Sequence, residues 1–328
     1  MQNHLKNIEI KDFKCFKDFK ADGFKRVNLI GGKNNVGKTA FMEVCYLGIT
    51  TQKCCEDKIP NRLMDTVTFF NALIAIELSR NPSSEFEIVK DSNAFDFKYD
   101  KSILRINEKI CSISDLDDCL YDKPMPDYKV GINKILQFYK GDNNPLDIKN
   151  NTFISVNGIR QNYISDCIDD IKLLNKWDVV NKQLQDIFNI QKIDVIKNTV
   201  MLEYEKNYLK LYEFGDGLKH FISIIISINL NENAIVFLDE VDNGIHYSNF
   251  DKLWEIILTI SKKQNVQVFA TTHSKECIES YARVSKKLED EDITFIELGK
   301  DENKIESITY NYKEVINQVS QHQDMRGW

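Results

Sequence analysis

The stretch Gly32-Lys33-Asn34-Asn35-Val36-Gly37-Lys38-Thr39 decides the fold of this chain, because it fills every fixed position of the pattern GxxxxGK[ST]. An apolar segment at 27–30 precedes it, and a segment typical of a helix, 40–44, follows it. The glycines allow consecutive backbone N–H groups to turn toward phosphate oxygens, and the start of the helix adds partial positive charge. In this strand–loop–helix context, the motif predicts that the loop binds the phosphates of a nucleoside triphosphate.

The residues of this loop have separate expected roles. Lys38 is expected to reach the β- and γ-phosphates, and the hydroxyl of Thr39 is expected to ligate Mg²⁺. The motif does not separate ATP from GTP. The loop residues expected to contact the nucleotide are Gly32, Asn34, Asn35, Val36, Gly37, Lys38, Thr39 and Ala40.

The composition is that of a soluble globular protein. The chain has 328 residues, 42% hydrophobic and 28% charged, enough for one large domain or two ordinary ones. A net charge of −7 argues against a molecule that binds nucleic acid over its whole surface. Residues 1–40 are locally basic, which leaves open a DNA-facing patch, although a solvated strand face is the simpler interpretation.

The cysteines and the apolar segments favour a cytoplasmic protein without a membrane-spanning segment. Eight cysteines are scattered without a CxxC pair, and the histidines do not approach them at metal-ligand spacing. Free thiols in a reducing cytosol are therefore expected. The start of the chain lacks the apolar run of a signal peptide, and the most apolar window, 218–230, is too short to cross a bilayer.

The first two thirds of the chain predict a mixture of strands and helices. The expected elements are strands at 8–10 and 27–30, helices at 38–48 and 66–78 with a loop at 51–62 between them, antiparallel strands over 85–114, and a helical stretch over 163–196 with Ile164, Ile168, Ile171 and Leu174 on one face.

The last third predicts a parallel sheet. Continuous apolar runs at 234–238, 266–270 and 293–298 are typical of strands buried on both faces. A helix at about 249–262 joins the first two runs into a βαβ unit. A turn at 299–303 then leads into a closing strand at 305–310, and the acidic cluster 289–292 is interpreted as a solvated loop.

Two carboxylates, Asp239 and Glu240, follow the first of these runs. The carboxyl end of a parallel strand lies at the sheet edge where ligands bind. Asp239 is expected to hold Mg²⁺ through water, and Glu240 to orient and deprotonate the attacking water. A strand that ends in solvated acids is the alternative, and the motif at 32–39 weighs against it.

The next apolar run ends in Thr271-Thr272-His273-Ser274. A histidine at this edge can hydrogen-bond the γ-phosphate and report whether it is present. A further glycine pair, in Gly215-Asp216-Gly217, stands at the start of the apolar helix 218–230 and predicts a second anion-binding turn. The alternatives are a structural histidine and a plain glycine turn.

Taken in order, phosphate loop, glycine signature, carboxylates and switch histidine resemble the ABC-type ATPase head, with Walker A at 32–39 and Walker B ending in Asp239-Glu240. The strings GDGLKHF and LDEVDNGIHYS are most similar to prokaryotic ATP-binding proteins related to the overcoming-lysogenization-defect (OLD) ATPases and to structural-maintenance-of-chromosomes heads. The resemblance implies an α/β P-loop NTPase with a mixed central sheet. It divides one head, 1–328, into a nucleotide core (1–50 and 210–310), a β-rich arm (51–120) and a helical lobe (121–209).

The resemblance also implies a dimer that closes around ATP and Mg²⁺. Gly215, Asp216 and Gly217 of one subunit would cover the γ-phosphate that Lys38 of the other subunit holds, and His246 falls in the segment that crosses the interface. The signature lacks the serine of transporter motors, so backbone N–H groups must bind more of the anion, and hydrolysis is expected to be slow or to need a partner. Gln161 is the candidate for the glutamine that touches Mg²⁺ in such heads.

The family comparison and what the chain lacks give the expected function. Heptads for a long arm, a zinc-hook CxxC and enough residues after His273 for a nuclease module are all missing, so an effector (nuclease or toxin) is expected on a separate chain. We expect a Mg-dependent ATPase switch in antiviral defence or in a toxin–antitoxin-like pair. The alternatives are a DNA-repair or DNA-clamping ATPase, with salt-sensitive DNA binding, and an ATP-binding scaffold with little hydrolysis.

Overall fold

The computed structural model describes residues 5–56, 83–90, 93–100, 103–106, 109–111, 152–154, 161–197, 199–301 and 304–327. The helix expected at 66–78 lies outside these ranges, as does the second half of the loop expected at 51–62. The first half of that loop is helical instead, because helix α1 begins at Lys38 and continues to Glu56.

The central sheet carries the phosphate loop. In the described part of the chain it has six strands in the order β15-β14-β3-β13-β12-β8. The strands are β3 (Val27–Gly32), β8 (Thr152–Ile154), β12 (Ile235–Leu238), β13 (Gln267–Thr272), β14 (Ile293–Asp301) and β15 (Lys304–Asn311). All neighbours are parallel except β14 and β15, so the sheet is mixed as expected.

The continuous apolar runs are explained by two cores, one on each face of this sheet. Along β12, Val236 and Leu238 face one core, and Ile235 and Phe237 face the other. Strand side chains alternate between faces, so a strand covered on both sides is apolar throughout. The first core is closed by helices α4 (Asp216–Leu230), α5 (Phe250–Gln264) and α6 (Lys275–Lys287), and the second by α1.

A second, antiparallel sheet extends the N-terminal part. Its order is β2-β1-β4-β5-β6-β7. The strands are β1 (Asn7–Phe13), β2 (Phe16–Asp22), β4 (Ser83–Lys90), β5 (Asn93–Asp100), β6 (Ile103–Ile106) and β7 (Lys109–Cys111). The strands predicted over 85–114 are thus present, and they pair with β1, which the sequence assigned to the nucleotide core.

The region predicted as a helical lobe contains strands as well as helices. Helices α2 (Gln161–Leu173) and α3 (Trp177–Phe188) are followed by a three-stranded sheet of β9 (Ile190–Ile196), β10 (Thr199–Tyr204) and β11 (Asn207–Lys210). The helical stretch predicted over 163–196 is therefore wrong beyond Phe188. Asn189 ends α3 in the left-handed conformation, with φ 55°, and Leu174 lies past α2 and is exposed. The division into core, arm and lobe stays a prediction.

The acidic cluster at 289–292 is not simply solvated. Asp290 is buried and forms an ion pair with the buried guanidinium of Arg26, which also donates to the Leu258 carbonyl at 3.0 Å. A buried charge of this kind needs its partner, so this basic residue stabilises the fold rather than facing DNA. Helix α7 (Tyr312–Ser320) follows β15 and packs on α6.

Candidate nucleotide-binding site

The phosphate loop between β3 and α1 depends on left-handed backbone at two positions. Asn35 has φ 62° and Gly37 has φ 98°. A Cβ at Gly37 would lie 2.7 Å from the sulfur of Cys15, in the turn between β1 and β2. Only glycine permits this approach, so the loop is shaped both by its own turn and by the hairpin beside it.

Lys38 is folded back over its own loop. Its Nζ donates to the carbonyls of Gly32 at 2.7 Å and Lys33 at 3.0 Å, and the residue is 9% exposed. Burial lowers the pKa of this lysine, and the nearby carboxylates, Glu240 first, oppose that shift. An ammonium partly stripped of water and held by carbonyls is well prepared to exchange those partners for phosphate oxygens.

Thr39 and Asp239 meet across the sheet edge. The Thr39 Oγ1 lies 3.2 Å and 3.1 Å from the two carboxylate oxygens of Asp239. A second hydroxyl, Thr271 Oγ1, donates to Asp239 Oδ1 at 2.7 Å, so the carboxylate is held both by the start of α1 and by β13. The two residues predicted to hold Mg²⁺ are therefore neighbours.

The oxygen chemistry of this pair suits Mg²⁺. A hydroxyl and a carboxylate are hard ligands of the type Mg²⁺ takes, usually alongside waters and substrate phosphates. Thr39 and Asp239 would hold the ion, and the ion would supply charge neutralisation on the triphosphate. No other described side chain is needed for this fit, because Mg²⁺ is commonly bound by only one or two protein groups.

Glu240 begins the turn that follows β12. It has φ 47°, and its N–H donates to Thr271 Oγ1 at 2.8 Å, while its carbonyl accepts from the Asn243 N–H at 2.8 Å. A non-glycine residue in the left-handed region is uncommon, and here it marks the end of the extended backbone of β12. The Glu240 carboxylate, which is predicted to act on water, lies close enough to Lys38 to oppose the lowering of the lysine pKa.

His273 follows β13 at the same edge. In the parallel register, Thr272 lies opposite Gly31, so His273 comes level with the first loop residue, Gly32. The ring is exposed, and the preceding Thr272 donates its hydroxyl to Asp242 at 2.6 Å. The structure thus brings together the phosphate loop, Asp239, Glu240 and His273 at one edge.

The glycine signature starts helix α4 at a different place. Gly215 is the N-cap, and a Cβ there would meet nothing within 4 Å. The Asp216 side chain is 93% exposed and pairs with Lys219 at 2.9 Å. A Cβ at Gly217 would lie 1.9 Å from the carbonyl oxygen of Gly244. Within the described residues, the signature is therefore packed on the loop after β12 and has no hydrogen bond to the phosphate loop.

Three site residues were not among the sequence predictions. Thr271, Thr272 and Asp242 form the hydrogen bonds that tie the end of β13 to the Walker B turn. The string Thr271-Thr272 directly before His273 was the available signal, since hydroxyls at a strand end can orient neighbouring carboxylates. Gln161, the weakest candidate, begins α2, and its side chain lies outside those that the structure describes.

The fold and these contacts define an α/β P-loop NTPase of the ABC-type head class. Residues 27–279 match a sequence family described as "AAA domain, putative AbiEii toxin, Type IV TA system", and the chain belongs to this family. As an AAA-domain member with this site, it is an ATP hydrolase. No helix among the described residues has the length and apolar character that a membrane span requires.

Known proteins agree with this class. A protein of Helicobacter pylori named "ATP/GTP phosphatase" is 27% identical over 322 residues, covering 84% of this chain and 86% of the relative. The crystal structure of an SmcHead bound to the C-winged helix domain of ScpA is 14% identical, with TM-score 0.52, covering 96% of this chain and 99% of that one. An Smc head domain with an extended coiled coil, bound to the C-terminal domain of ScpA derived from Pyrococcus furiosus, is 10% identical, with TM-score 0.50 and coverage of 97% and 99%.

Proposed function

We propose that this chain is a Mg-dependent ATPase switch that dimerises around ATP and controls a separately encoded effector. The observation that carries the proposal is the contact between Thr39 and Asp239, with Lys38 and Glu240 adjacent to it in sequence. A triphosphate with its metal needs a cationic cradle, metal ligands and a carboxylate near the attacking water, and this edge supplies all three types.

The proposed chemistry assigns one task to each side chain. Lys38 leaves the loop carbonyls and binds the β- and γ-phosphates, where its charge offsets the charge that develops on transfer. Glu240 orients the attacking water and accepts its proton. His273 donates a hydrogen bond to the γ-phosphate, so its contact is lost once phosphate leaves.

Dimer formation is proposed from the exposure of the signature. The start of α4 has free space around Gly215 and an exposed Asp216, which suits a helix N-terminus that receives an anion from another molecule. His246 and Tyr247 are also exposed, with ring centroids 4.3 Å apart, in the loop that packs on the signature. A second copy would bring its own triphosphate to this surface.

The biological context is proposed from the family. Its description refers to a type IV toxin–antitoxin system, and the H. pylori relative is named for ATP and GTP hydrolysis. These names support a hydrolysing switch within a toxin–antitoxin-like pair. A role in an antiviral defence system of the OLD type, with a nuclease or toxin as the separate partner, is proposed from the resemblance of the sequence motifs. The assignment of this role is by family association rather than by site chemistry.

The test of the switch is the oligomeric state of Glu240→Gln with ATP and Mg²⁺. This change keeps the shape of the side chain but removes the base, so the ATP-bound dimer should accumulate and elute at twice the monomer mass. Lys38→Ala, which lacks the phosphate ligand, should remain monomeric under the same conditions. Monomer for both Glu240→Gln and wild type would refute the dimer.

Nucleotide binding itself is tested by Lys38→Ala against Lys33→Ala. The first change should abolish measurable ATP binding, because the buried ammonium is the cation directed at the phosphates. The second removes an exposed lysine in the same loop and should leave the affinity within about threefold. Wild-type affinity in Lys38→Ala would contradict the assigned role of the loop.

Three basic residues near the N-terminus weigh against the DNA-clamping alternative. Lys14, Lys17 and Lys20 form ion pairs with Glu43, Asp12 and Glu9, respectively. Their charge is thus locally balanced, and a phosphate backbone would have to compete with those carboxylates. A phosphate-release assay distinguishes the scaffold alternative. If the protein is a scaffold that does not hydrolyse ATP, wild type and Glu240→Gln release phosphate at the same background rate.

A further inference from the structure

The segment 321–327, which follows α7, returns to the sheet edge and packs against the start of the phosphate loop. Met325 is 3% exposed and belongs to the core that α4, α5 and α6 close. Its carbonyl oxygen lies 3.0 Å from the point where a Cβ on Gly31 would be. Gly31 is the residue before the loop, so the segment is in backbone contact with the end of β3.

Gly327 makes the closest approach. A Cβ there would be 2.4 Å from the Leu298 carbonyl oxygen and 3.3 Å from both Gly32 Cα and Lys33 N. The residue has φ 90°, a conformation that L side chains rarely adopt. The two stretches of backbone can lie against each other because both contain glycine at the contact, Gly31 and Gly32 in one stretch and Gly327 in the other.

A buried carboxylate fixes this contact. The Gly327 N–H donates to Glu297 Oε1 at 2.9 Å, and the other carboxylate oxygen accepts from the Tyr310 hydroxyl at 2.8 Å. Glu297 is 6% exposed and lies on β14, directly beside β3. A hydrogen bond to a buried charged acceptor is among the stronger kinds, and neither oxygen can be left without a partner at low cost.

We propose that residues 321–327 are a positioning segment of the nucleotide site, which holds residues 31–33 in the conformation that binds the triphosphate. The inference rests on the proposed function, since it assigns the segment to the same site. None of these residues takes part in the chemistry. They act through the phosphate loop, because the segment packs against the start of that loop and against the neighbouring strand β14.

The expected consequence is an effect on binding rather than on turnover. A loop that is held in its binding shape binds with its intrinsic affinity, whereas a loop that visits this shape only part of the time has its apparent affinity reduced by that fraction. Once nucleotide is bound, the loop is ordered by the ligand itself. Loss of the segment's contact should therefore raise KM and leave kcat almost unchanged.

The experiment measures the ATPase KM and kcat of Gly327→Ala in the full chain. The added methyl group cannot fit against Leu298, so the segment must move away from the loop. We expect KM to rise about tenfold, with kcat within twofold of wild type. Lys304→Ala is the control, because it removes an exposed ion pair with Glu306 on β15, outside the segment, and it should leave both constants unchanged.

A second series keeps the test independent of the glycine. Glu297→Ala removes the acceptor of the Gly327 N–H and should raise KM in the same way. Glu297→Gln retains an oxygen at that position and should restore a KM within twofold or threefold of wild type. Tyr310→Phe removes the other bond to the carboxylate but keeps the bond to Gly327, so it should lower the melting temperature and raise KM less than Glu297→Ala does. That difference distinguishes the segment from a general weakening of β14.

Each result decides the proposal. A raised KM with retained kcat in Gly327→Ala and Glu297→Ala supports it. The proposal is overturned if KM is unchanged in both variants. It is also overturned, in favour of a purely structural segment, if the melting temperature and kcat fall while KM stays at the wild-type value. Failure of the proposed function would look different. In that case the wild-type protein would have no ATPase activity above that of Lys38→Ala.

Discussion

The Thr39 hydroxyl lies 3.1 Å from Asp239 Oδ2, although the two residues are 200 positions apart in the chain. The contact exists because β3 and β12 flank β13 in a parallel sheet, so that their carboxyl ends reach the same edge. One hydrogen bond therefore joins the phosphate loop to the Walker B strand, and its two oxygens are those predicted to hold the metal.

We predict that Thr39→Val lowers kcat/KM for ATP about a hundredfold and weakens the dependence on Mg²⁺. Valine keeps the branched shape of threonine but has no oxygen to offer the ion or Asp239. Thr39→Ser, which keeps the hydroxyl, should retain most of the activity. Activity measured over a range of Mg²⁺ concentrations tests this, and equal activity of the valine and serine variants would exclude Thr39 as a ligand.

Thr271 is expected to position the Walker B turn, since its hydroxyl donates to Asp239 and accepts from the N–H of Glu240. Thr271→Val should lower kcat by about 10- to 100-fold, the usual effect of removing a residue that orients a ligand. Thr271→Ser should preserve both bonds and most of the rate. Steady-state kinetics of the two variants test this prediction. If the serine variant is as slow as the valine variant, the rate depends on the packing of the Thr271 methyl group rather than on its hydroxyl.

The two signature glycines should respond differently to alanine. At Gly217 a Cβ would lie 1.9 Å from the Gly244 carbonyl, so Gly217→Ala must push α4 away from the Walker B loop and lower the melting temperature, at a cost of about 1–3 kcal/mol. At Gly215 the space is open and the backbone is extended, so Gly215→Ala loses only the preference for glycine over alanine at an N-cap and should lower the melting temperature much less.

The same pair separates folding from dimerisation. If the signature receives the partner's triphosphate, Gly215→Ala should still weaken the ATP-dependent dimer, because its methyl group projects into the space the anion needs. Melting curves and sizing with ATP measure the two effects on the same samples. A normal dimer in Gly215→Ala, with a melting temperature close to that of wild type, would place the interface elsewhere.

The proximity of the site residues could be predicted from the sequence because the signals are local, while their roles in binding and hydrolysis stay predictions. The phosphate loop, Asp239, Glu240 and His273 each directly follow a buried strand, and parallel strands bring their ends together without further information. Gly217 and Gly244 were harder, because glycine in a string reveals only freedom of the backbone. Only the packing shows why both are glycine: the start of α4, at Gly217, lies directly against the loop after β12, at Gly244.

Long-range contacts account for what the sequence did not predict. The apolar spacing over 163–196 predicts helix where the structure has the strand at 190–196, and the left-handed Asn189 that separates α3 from this strand carries little signal. Asp290 reads as one acid among four, yet it is buried against Arg26 from the other end of the chain. The segment 321–327 is polar and short, and the contacts that place it, the burial of Met325 and the approach of Gly327 to Leu298 and Glu297, are all long-range.

His220, on α4, should make stability depend on pH. Burial lowers the pKa of its imidazole from the ordinary 6.5, with the charge of Asp242 opposing the shift, and the residue is 3% exposed. In the unfolded chain this histidine takes up a proton as pH falls through about 6.5, whereas in the folded chain it does so only at lower pH. The unfolded state then binds more protons, so the free energy of unfolding falls as pH decreases below about 6.5, by at most about 1.4 kcal/mol for each pH unit.

Chemical denaturation at pH 7.5 and pH 5.5 measures this effect. Wild type should lose more stability between the two pH values than His220→Leu, which has no group to titrate on α4. His322→Gln, a change at an exposed histidine, should show the wild-type dependence. If His220→Leu lost as much stability as wild type, the acid sensitivity would have to come from carboxylates, whose ion pairs are lost only as pH falls through their own lower pKa values.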